Sequence, residues 1–177
     1  MIGLNRKVVK LMPYCAEWSV LFDEEERLLR SAIGSYALAI EHIGSTSIPE
    51  LEAKPIIDIA VAVRKIEDAE RCLLPLENIG YEYRGEQGIA ERYYFRKGTP
   101  TVSTHHLNIV EVRSEFWRNH LLFRDYLRQH SDVAQEYGRL KRELACEYKE
   151  NREAYTNGKA AFIEQILRRA SSSKRAD

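Results

Sequence analysis

The stretch Glu41-His42-Ile43-Gly44-Ser45-Thr46-Ser47-Ile48-Pro49-Glu50-Leu51-Glu52-Ala53-Lys54-Pro55-Ile56-Ile57-Asp58-Ile59-Ala60-Val61-Ala62-Val63 decides how the chain is read. It runs strand, short polar loop, then a buried strand carrying one acid. A glycine followed by small hydroxyl residues lets backbone N–H groups come close to an anion. Ile56 to Val63 is apolar almost throughout, as in a strand covered on both faces. Asp58 is its single charge, and a carboxylate in such a strand must be hydrogen-bonded, paired or metal-bound. A phosphate cradle beside a strand-borne acid is the layout of metal-assisted chemistry on nucleotides.

Working outward, Tyr36 to Ile43 reads as the strand entering the loop, and Pro49 and Pro55 confine 47–54 to at most one irregular helical turn. Upstream, Trp18, Leu21, Phe22, Leu28, Leu29 and Ala32 recur at helical spacing and predict a helix over 17–33, stopped at Gly34. Glu25 shares that apolar face, either as a covered acid paired with an arginine or as a site acid. Val8 to Leu11 reads as a short strand or an extended lead-in. Downstream, a helix is predicted over 67–78 with Pro75 as a possible break, then strands from Tyr81, over 91–96 and over 102–112, with 97–100 as a turn. The rest reads as helix: 114–129, 131–150 and 152–169, with Ser114 and Ser131 as N-caps. Strands mixed with helices followed by helices alone predict an α+β fold, a mixed sheet with a helical C-terminal layer.

The whole chain bounds the function. Its 177 residues suit one domain over 1–170, with 171–177 as a disordered tail. Lys plus Arg and Asp plus Glu both total 27, so zero net charge argues against nucleic acid or an anionic membrane as partner. Three scattered cysteines, Cys15, Cys72 and Cys146, form neither a metal motif nor a disulfide framework and read as reduced thiols of a cytoplasmic protein. No apolar run is long enough to span a membrane.

Several residues are candidates for chemistry. Gly44, Ser45 and Thr46 are the phosphate cradle, although no Walker ending follows. Lys54 either neutralises a phosphate oxygen or is a solvated loop lysine. Asp58 either holds Mg²⁺ or caps loop N–H groups. A two-metal site wants a second carboxylate two residues along the same face, and that position is Ala60. Glu41, on the adjoining strand, is the expected partner. In Thr104-His105-His106-Leu107-Asn108, alternation puts His106 and Asn108 on one face, able to reach a metal or ligand together. Arg124, in Phe123-Arg124-Asp125-Tyr126-Leu127-Arg128, is a phosphate clamp or part of a surface charge network. Lys159 projects along the apolar stripe of the last helix, and Lys141 lies beside the Tyr137 stripe; two lysines leaning coreward suggest an anionic ligand or buried ion pairing.

Together, Tyr14 with Trp18, the Glu41–Pro49 and Ala53–Asp58 segments, Phe123–Arg128, and Tyr155 with Lys159-Ala160-Ala161-Phe162-Ile163 resemble the GrpB family. The resemblance covers 14–170 and implies a fold of the nucleotidyltransferase superfamily, similar also to a domain fused to some dephospho-coenzyme A kinases. Two departures stand out. The family has glycine where this chain has Glu50, and a His-x-His where this chain has His106-Leu107-Asn108; asparagine is a poor ligand for softer metals. The expectation is metal-assisted transfer of a nucleotidyl group from a nucleoside triphosphate to a small acceptor. Asp58 and Glu41 would be catalytic and metal-binding, with His106 and Asn108 as further ligands of Mg²⁺. Gly44, Ser45, Thr46, Lys54, Arg124, Lys141 and Lys159 would contact phosphates. The alternatives are a divergent module that binds an anionic metabolite or nucleotide without catalysis, and an interaction scaffold.

Overall fold

The computed structural model describes residues 2–173. Its strands are β1 (Leu4–Asn5), β2 (Ala39–Ile43), β3 (Ile57–Val63), β4 (Tyr81–Tyr83), β5 (Tyr93–Gly98) and β6 (Val102–Glu111). They form one sheet in the order β2-β3-β6-β5-β4, with β1 pairing on β6. The β3/β6 pair is parallel and the others are antiparallel, so the sheet is mixed. The helices are α1 (Glu17–Ile33), α2 (Leu73–Asn78), α3 (Glu115–Gln129), α4 (Ser131–Glu147), α5 (Arg152–Asn157) and α6 (Ala160–Ser173). The architecture is α+β, as the order of elements predicts.

Strand alternation sorts the two faces. Ile57, Ile59, Val61, Leu107 and Ile109 join Trp18, Phe22, Leu29 and Ile33 of α1 in the main core. Burying each large apolar side chain there contributes about 1.5–3 kcal/mol. Asp58, Ala60, Ala62, His106, Asn108 and Val110 point to the other face. There, Ala60 and Ala62 pack with Ile43, Val110 and Trp117 of α3. The C-terminal helices pack over the loop as well, with Leu127, Val133, Tyr137 and Ile166 closing on Ile48 and Leu51. The polar loop is therefore sandwiched between the end of the sheet and the helical layer.

The 17–33 helix matches its predicted bounds, and Ser114 caps α3 by accepting from Trp117 N at 3.2 Å. Several expectations are corrected. Segment 8–11 is not a strand; Met12 beyond it makes an isolated bridge to Ala53. The 67–78 helix is a 3-10 segment (Ile66–Cys72) followed by α2. Pro75 fits in the first turn of α2, where a backbone N–H has no intrahelical partner. His130, not Ser131, precedes α4, which ends at Glu147. The 152–169 helix is broken at Gly158, where a Cβ would sit 2.6 Å from Leu144 Cδ2; the break lets the chain turn closely over α4. Residues 171–173, expected in the tail, continue α6, and 174–177 lie outside the described residues. Glu25 is covered as one reading had it, but its partner is Lys97, not an arginine.

Glu50 adopts φ +63°, in the left-handed region. A non-glycine residue there costs roughly 1–2 kcal/mol, against roughly 0.5–1 kcal/mol of extra chain entropy lost by glycine. Glu50→Gly is therefore expected to stabilise the fold by about 0.5–1 kcal/mol, read by urea denaturation; a destabilisation would show that the exposed glutamate makes a compensating contact.

Candidate functional site

The loop is held in shape by side chains from three directions. Ser45–Ser47 forms one 3-10 turn, and Ser47 Oγ donates to Gly44 O at 2.6 Å. Thr46 Oγ1 donates to Ile56 O at 3.3 Å and lies 2.9 Å from His42 Nε2. His42 is buried and stacked on Phe22 at 4.7 Å; burial pushes its pKa down to about 4, so the ring is neutral and structural. From α3, Arg128 donates twice to Ser47 O, at 2.9 and 2.8 Å. Among the described residues, the amides of Ser45 and Thr46 make no backbone hydrogen bond.

Asp58 stands at the mouth of this loop. Gly44 has φ +70° and ψ −176°, a region essentially reserved for glycine, and a Cβ there would lie 2.5 Å from Asp58 Oδ2. The glycine thus supplies both the turn and the room for the carboxylate. Gly44→Ala is expected to cost about 1–3 kcal/mol of backbone strain, and more where Asp58 is displaced. Thermal denaturation checks it; an unchanged midpoint would mean that the loop relaxes freely.

Asp58 Oδ1 is 3.0 Å from His106 Nδ1, because parallel pairing of β3 and β6 sets the two residues opposite each other. Burial raises the Asp58 carboxyl pKa, but the hydrogen bond from His106, with the nearby Lys54 ammonium, outweighs this and leaves it below the ordinary value. The Tyr94 ring backs His106 at 5.6 Å.

A cavity of about 390 Å³ opens between loop, sheet and helices, within the size range of small-molecule pockets. Gly44, Ser45, Thr46, Lys54, Asp58 and His106 form its polar end. Phe123, Tyr137, Tyr155, Ile163 and Leu167 form an apolar wall. The ammonium groups of Lys54 and Lys159 both lie over the Tyr155 ring, 5.4 and 4.4 Å from its centroid. Neither makes a hydrogen bond or ion pair to a carboxylate among the described residues. Burial, then the charges of Arg152 and Lys159, lowers the Lys54 pKa to about 7. Burial lowers Lys159 to about 8, with Arg152 acting in the same direction and Asp58 against it.

The other expected residues are placed differently. Lys141 is buried over the Tyr137 ring at 5.0 Å and donates to Glu52 O, outside the cavity lining; burial lowers its pKa to about 7. Arg124 reaches the cavity, but its guanidinium is committed to Glu41 Oε2 at 2.7 Å, His42 O at 3.0 Å and Asp125 Oδ1 at 2.7 Å. Glu41 pairs with Ala60 in the sheet and is not part of the lining. Asn108 donates to Ile59 O at 3.1 Å and accepts from Arg92 at 3.2 Å. His120 and Phe123 were not expected. His120 Nδ1 lies 2.8 Å from Phe116 O and its ring stacks on Phe116, an i,i+4 pair visible in the sequence.

These donors do not fit a two-metal centre. Among the described residues, no trio of His, Cys, Asp or Glu is arranged to hold a metal. Ala60, where the second acid would stand, is fully buried in an apolar cluster with Trp117 and Val110, so a carboxylate there would be desolvated without a partner. Asp58 is left as a single carboxylate already engaged by an imidazole. No helix among the described residues is long and apolar enough to cross a membrane.

Comparison with known proteins places this geometry. A family model described as GrpB protein matches residues 8–169. The UPF0157 protein YqkA of Bacillus subtilis is 42% identical over 158 residues, covering 89% of this chain but only 46% of that protein. The glutamate-rich protein GrpB of Alkalihalophilus pseudofirmus is 38% identical over 171 residues, covering 94% of this chain and 98% of that protein. The crystal structure of conserved protein GrpB from Enterococcus faecalis superposes with a TM-score of 0.85 at 39% identity, over 93% of this chain and 99% of that one. The Cid1 poly(U) polymerase, solved with MgGTP bound, superposes with a TM-score of 0.51 at 14% identity, over 75% and 44% of the two chains. That likeness concerns the fold alone.

Proposed function

The chain belongs to the GrpB family, and from that premise we propose that it binds a nucleotide, or a similarly phosphorylated small molecule, in the cleft beside the Gly44 loop. The observation that carries this reading is the pair of ammonium groups, Lys54 and Lys159, stacked on one tyrosine with no carboxylate in hydrogen-bond or ion-pair contact among the described residues. Placing two such charges together is unfavourable until an anion enters, and a phosphate supplies the missing countercharge. The Ser45 and Thr46 amides offer donors to the same group. The apolar wall of Phe123, Tyr137 and Tyr155 suits a base or another flat moiety. The shared fold with Cid1, which was solved with MgGTP, makes nucleoside triphosphates the first ligands to test. Nucleotidyl transfer is a second reading, favoured by Asp58 on the strand next to the loop.

The test is the thermal midpoint with ATP, CTP, GTP or UTP, each in Mg²⁺ and in EDTA. A ligand that binds only the native state at 100 times its Kd adds about 2.7 kcal/mol, or roughly 5–11 °C for a chain of this size. No shift with any triphosphate sinks the reading.

The pH dependence has opposite signs for the free and bound protein. Lys54 and Lys159 have folded pKa values of about 7 and about 8, below the ordinary 10.5. Between those values and 10.5 the unfolded chain binds more protons, so their contribution makes the ligand-free protein more stable as pH rises. The same deprotonation removes the charges that hold an anion, so affinity falls as pH rises through 7–8. Above neutrality, binding is expected to take up protons, measurable by titration calorimetry in buffers of different ionisation enthalpy. Proton release on binding would contradict this account of the lysines.

A further inference from the structure

We propose that Asp58 and His106 form a metal-independent dyad, in which Asp58 orients His106 and His106 Nε2 takes the proton of a hydroxyl that attacks the bound phosphoryl group. The inference rests on the binding reading above and adds the chemistry that the failed metal fit leaves open.

The geometry is that of an oriented base. Asp58 Oδ1 lies 3.0 Å from His106 Nδ1, and the pair is fixed by parallel strand register between residues 48 positions apart. An ionised carboxylate only accepts, so Nδ1 carries the proton and Nε2 keeps a free lone pair. His106 Nε2 has no hydrogen-bond partner among the described residues, and the ring lines the cavity. Gly44 leaves room for the Asp58 carboxylate, which a Cβ at that position would displace. Lys54 and Lys159 stand where charge developing on a phosphate would need compensation, the role a metal would otherwise take.

The step balances without a metal or a redox partner. The oxygen of water, or of an acceptor alcohol, bonds to the α-phosphorus of a nucleoside triphosphate as its proton passes to His106 Nε2. The bond from that phosphorus to the bridging oxygen breaks, and pyrophosphate leaves with the electron pair. Its added negative charge is met by the two ammonium groups, and His106 returns its proton to solvent. With water as acceptor the products are nucleoside monophosphate and pyrophosphate.

The full chain is incubated with ATP, CTP, GTP or UTP in excess EDTA, and monophosphate and pyrophosphate are followed by 31P NMR. Turnover is expected in EDTA, and His106→Gln is expected to lower it by about 10²–10⁴-fold while the triphosphate-induced midpoint shift remains. Asp58→Asn should lower turnover and also change the His106 tautomer, read by 15N-histidine NMR, which a purely structural role would not require. The tautomer measurement on unsubstituted protein stands even if a variant fails to fold: Nε2–H with bare Nδ1 overturns the proposal. Turnover that needs Mg²⁺ overturns it, as does loss through His120→Gln with retention in His106→Gln. A midpoint shift without turnover in EDTA overturns this inference and leaves the binding reading intact, whereas absence of both overturns both.

Discussion

Glu25→Ala is expected to lower the unfolding free energy by about 3–5 kcal/mol, the cost of removing one partner from a buried charge pair. Glu25 lies on the core face of α1 and is 5% exposed. Lys97 Nζ meets its two oxygens at 2.8 and 3.0 Å, and His105 Nε2 stands at 3.8 Å. The Lys97 ammonium also sits over the Tyr81 ring at 5.3 Å. Without the carboxylate, that ammonium is left at the core edge with only an aromatic face to receive it. For a chain of this size the thermal midpoint should fall by roughly 6–20 °C. Urea denaturation with an unchanged m-value would attribute the loss to the native state. A change under 1 kcal/mol would mean that Lys97 swings into water at little cost. Because the cluster lies on the sheet face opposite the cleft, triphosphate binding by the folded variant should be unaffected.

Replacing Lys54 and Lys159 together by alanine is expected to abolish the triphosphate-induced shift while raising the midpoint of the ligand-free protein. A hydrogen bond to a charged group is worth about 1.5–3 kcal/mol, so each lysine should account for roughly 10–100-fold in affinity. The single variants should lose less than half of the logarithmic effect, because Lys159 is one of the charges that depress Lys54. Removing it lets the remaining ammonium hold its proton to higher pH. A double-mutant cycle by calorimetry measures that coupling. Relief of repulsion and burial cost is expected to stabilise the free protein by about 0.5–2 kcal/mol, the signature of residues kept for binding rather than folding. Destabilisation of the free protein with unchanged affinity would make both lysines structural.

The fold was legible where the signal is periodic. The apolar stripe of α1 and the unbroken run of β3 each specify an element with few alternatives, and the order of elements then fixed the class. Misreadings fell where tertiary contact overrides local preference. The last helix ends and restarts around Asn157-Gly158, a turn-forming pair read over by the apolar stripe, and Gly158 leaves room for Leu144 against it. In the site, alternation puts Asp58 with Ala60 on one face of its strand and His106 with Asn108 on one face of theirs, but it does not say which of them meet across strands. That follows from register: β3 and β6 align Asp58 with His106 and leave Asn108 opposite Ala60. Glu41 was a reasonable partner by proximity, yet Arg124 from a helix 83 residues away captures it. Lys141 and Lys159 look alike in sequence, and only packing sends one to a carbonyl and the other to the cavity. The i,i+4 spacing of Phe116 and His120 is visible in the sequence, but only the packing shows that this histidine lines the cavity.

The cleft takes its loop from residues 44–46, its base from 106 and its far wall from 155–167. A chain leaving the ribosome therefore holds the loop and the strand acid long before the wall that carries Tyr155, Lys159 and Leu167 exists. The nascent protein can complete most of its sheet while unable to close around a ligand. Every strand is synthesised before the wall segment, so the cleft is completed after the sheet and not with it.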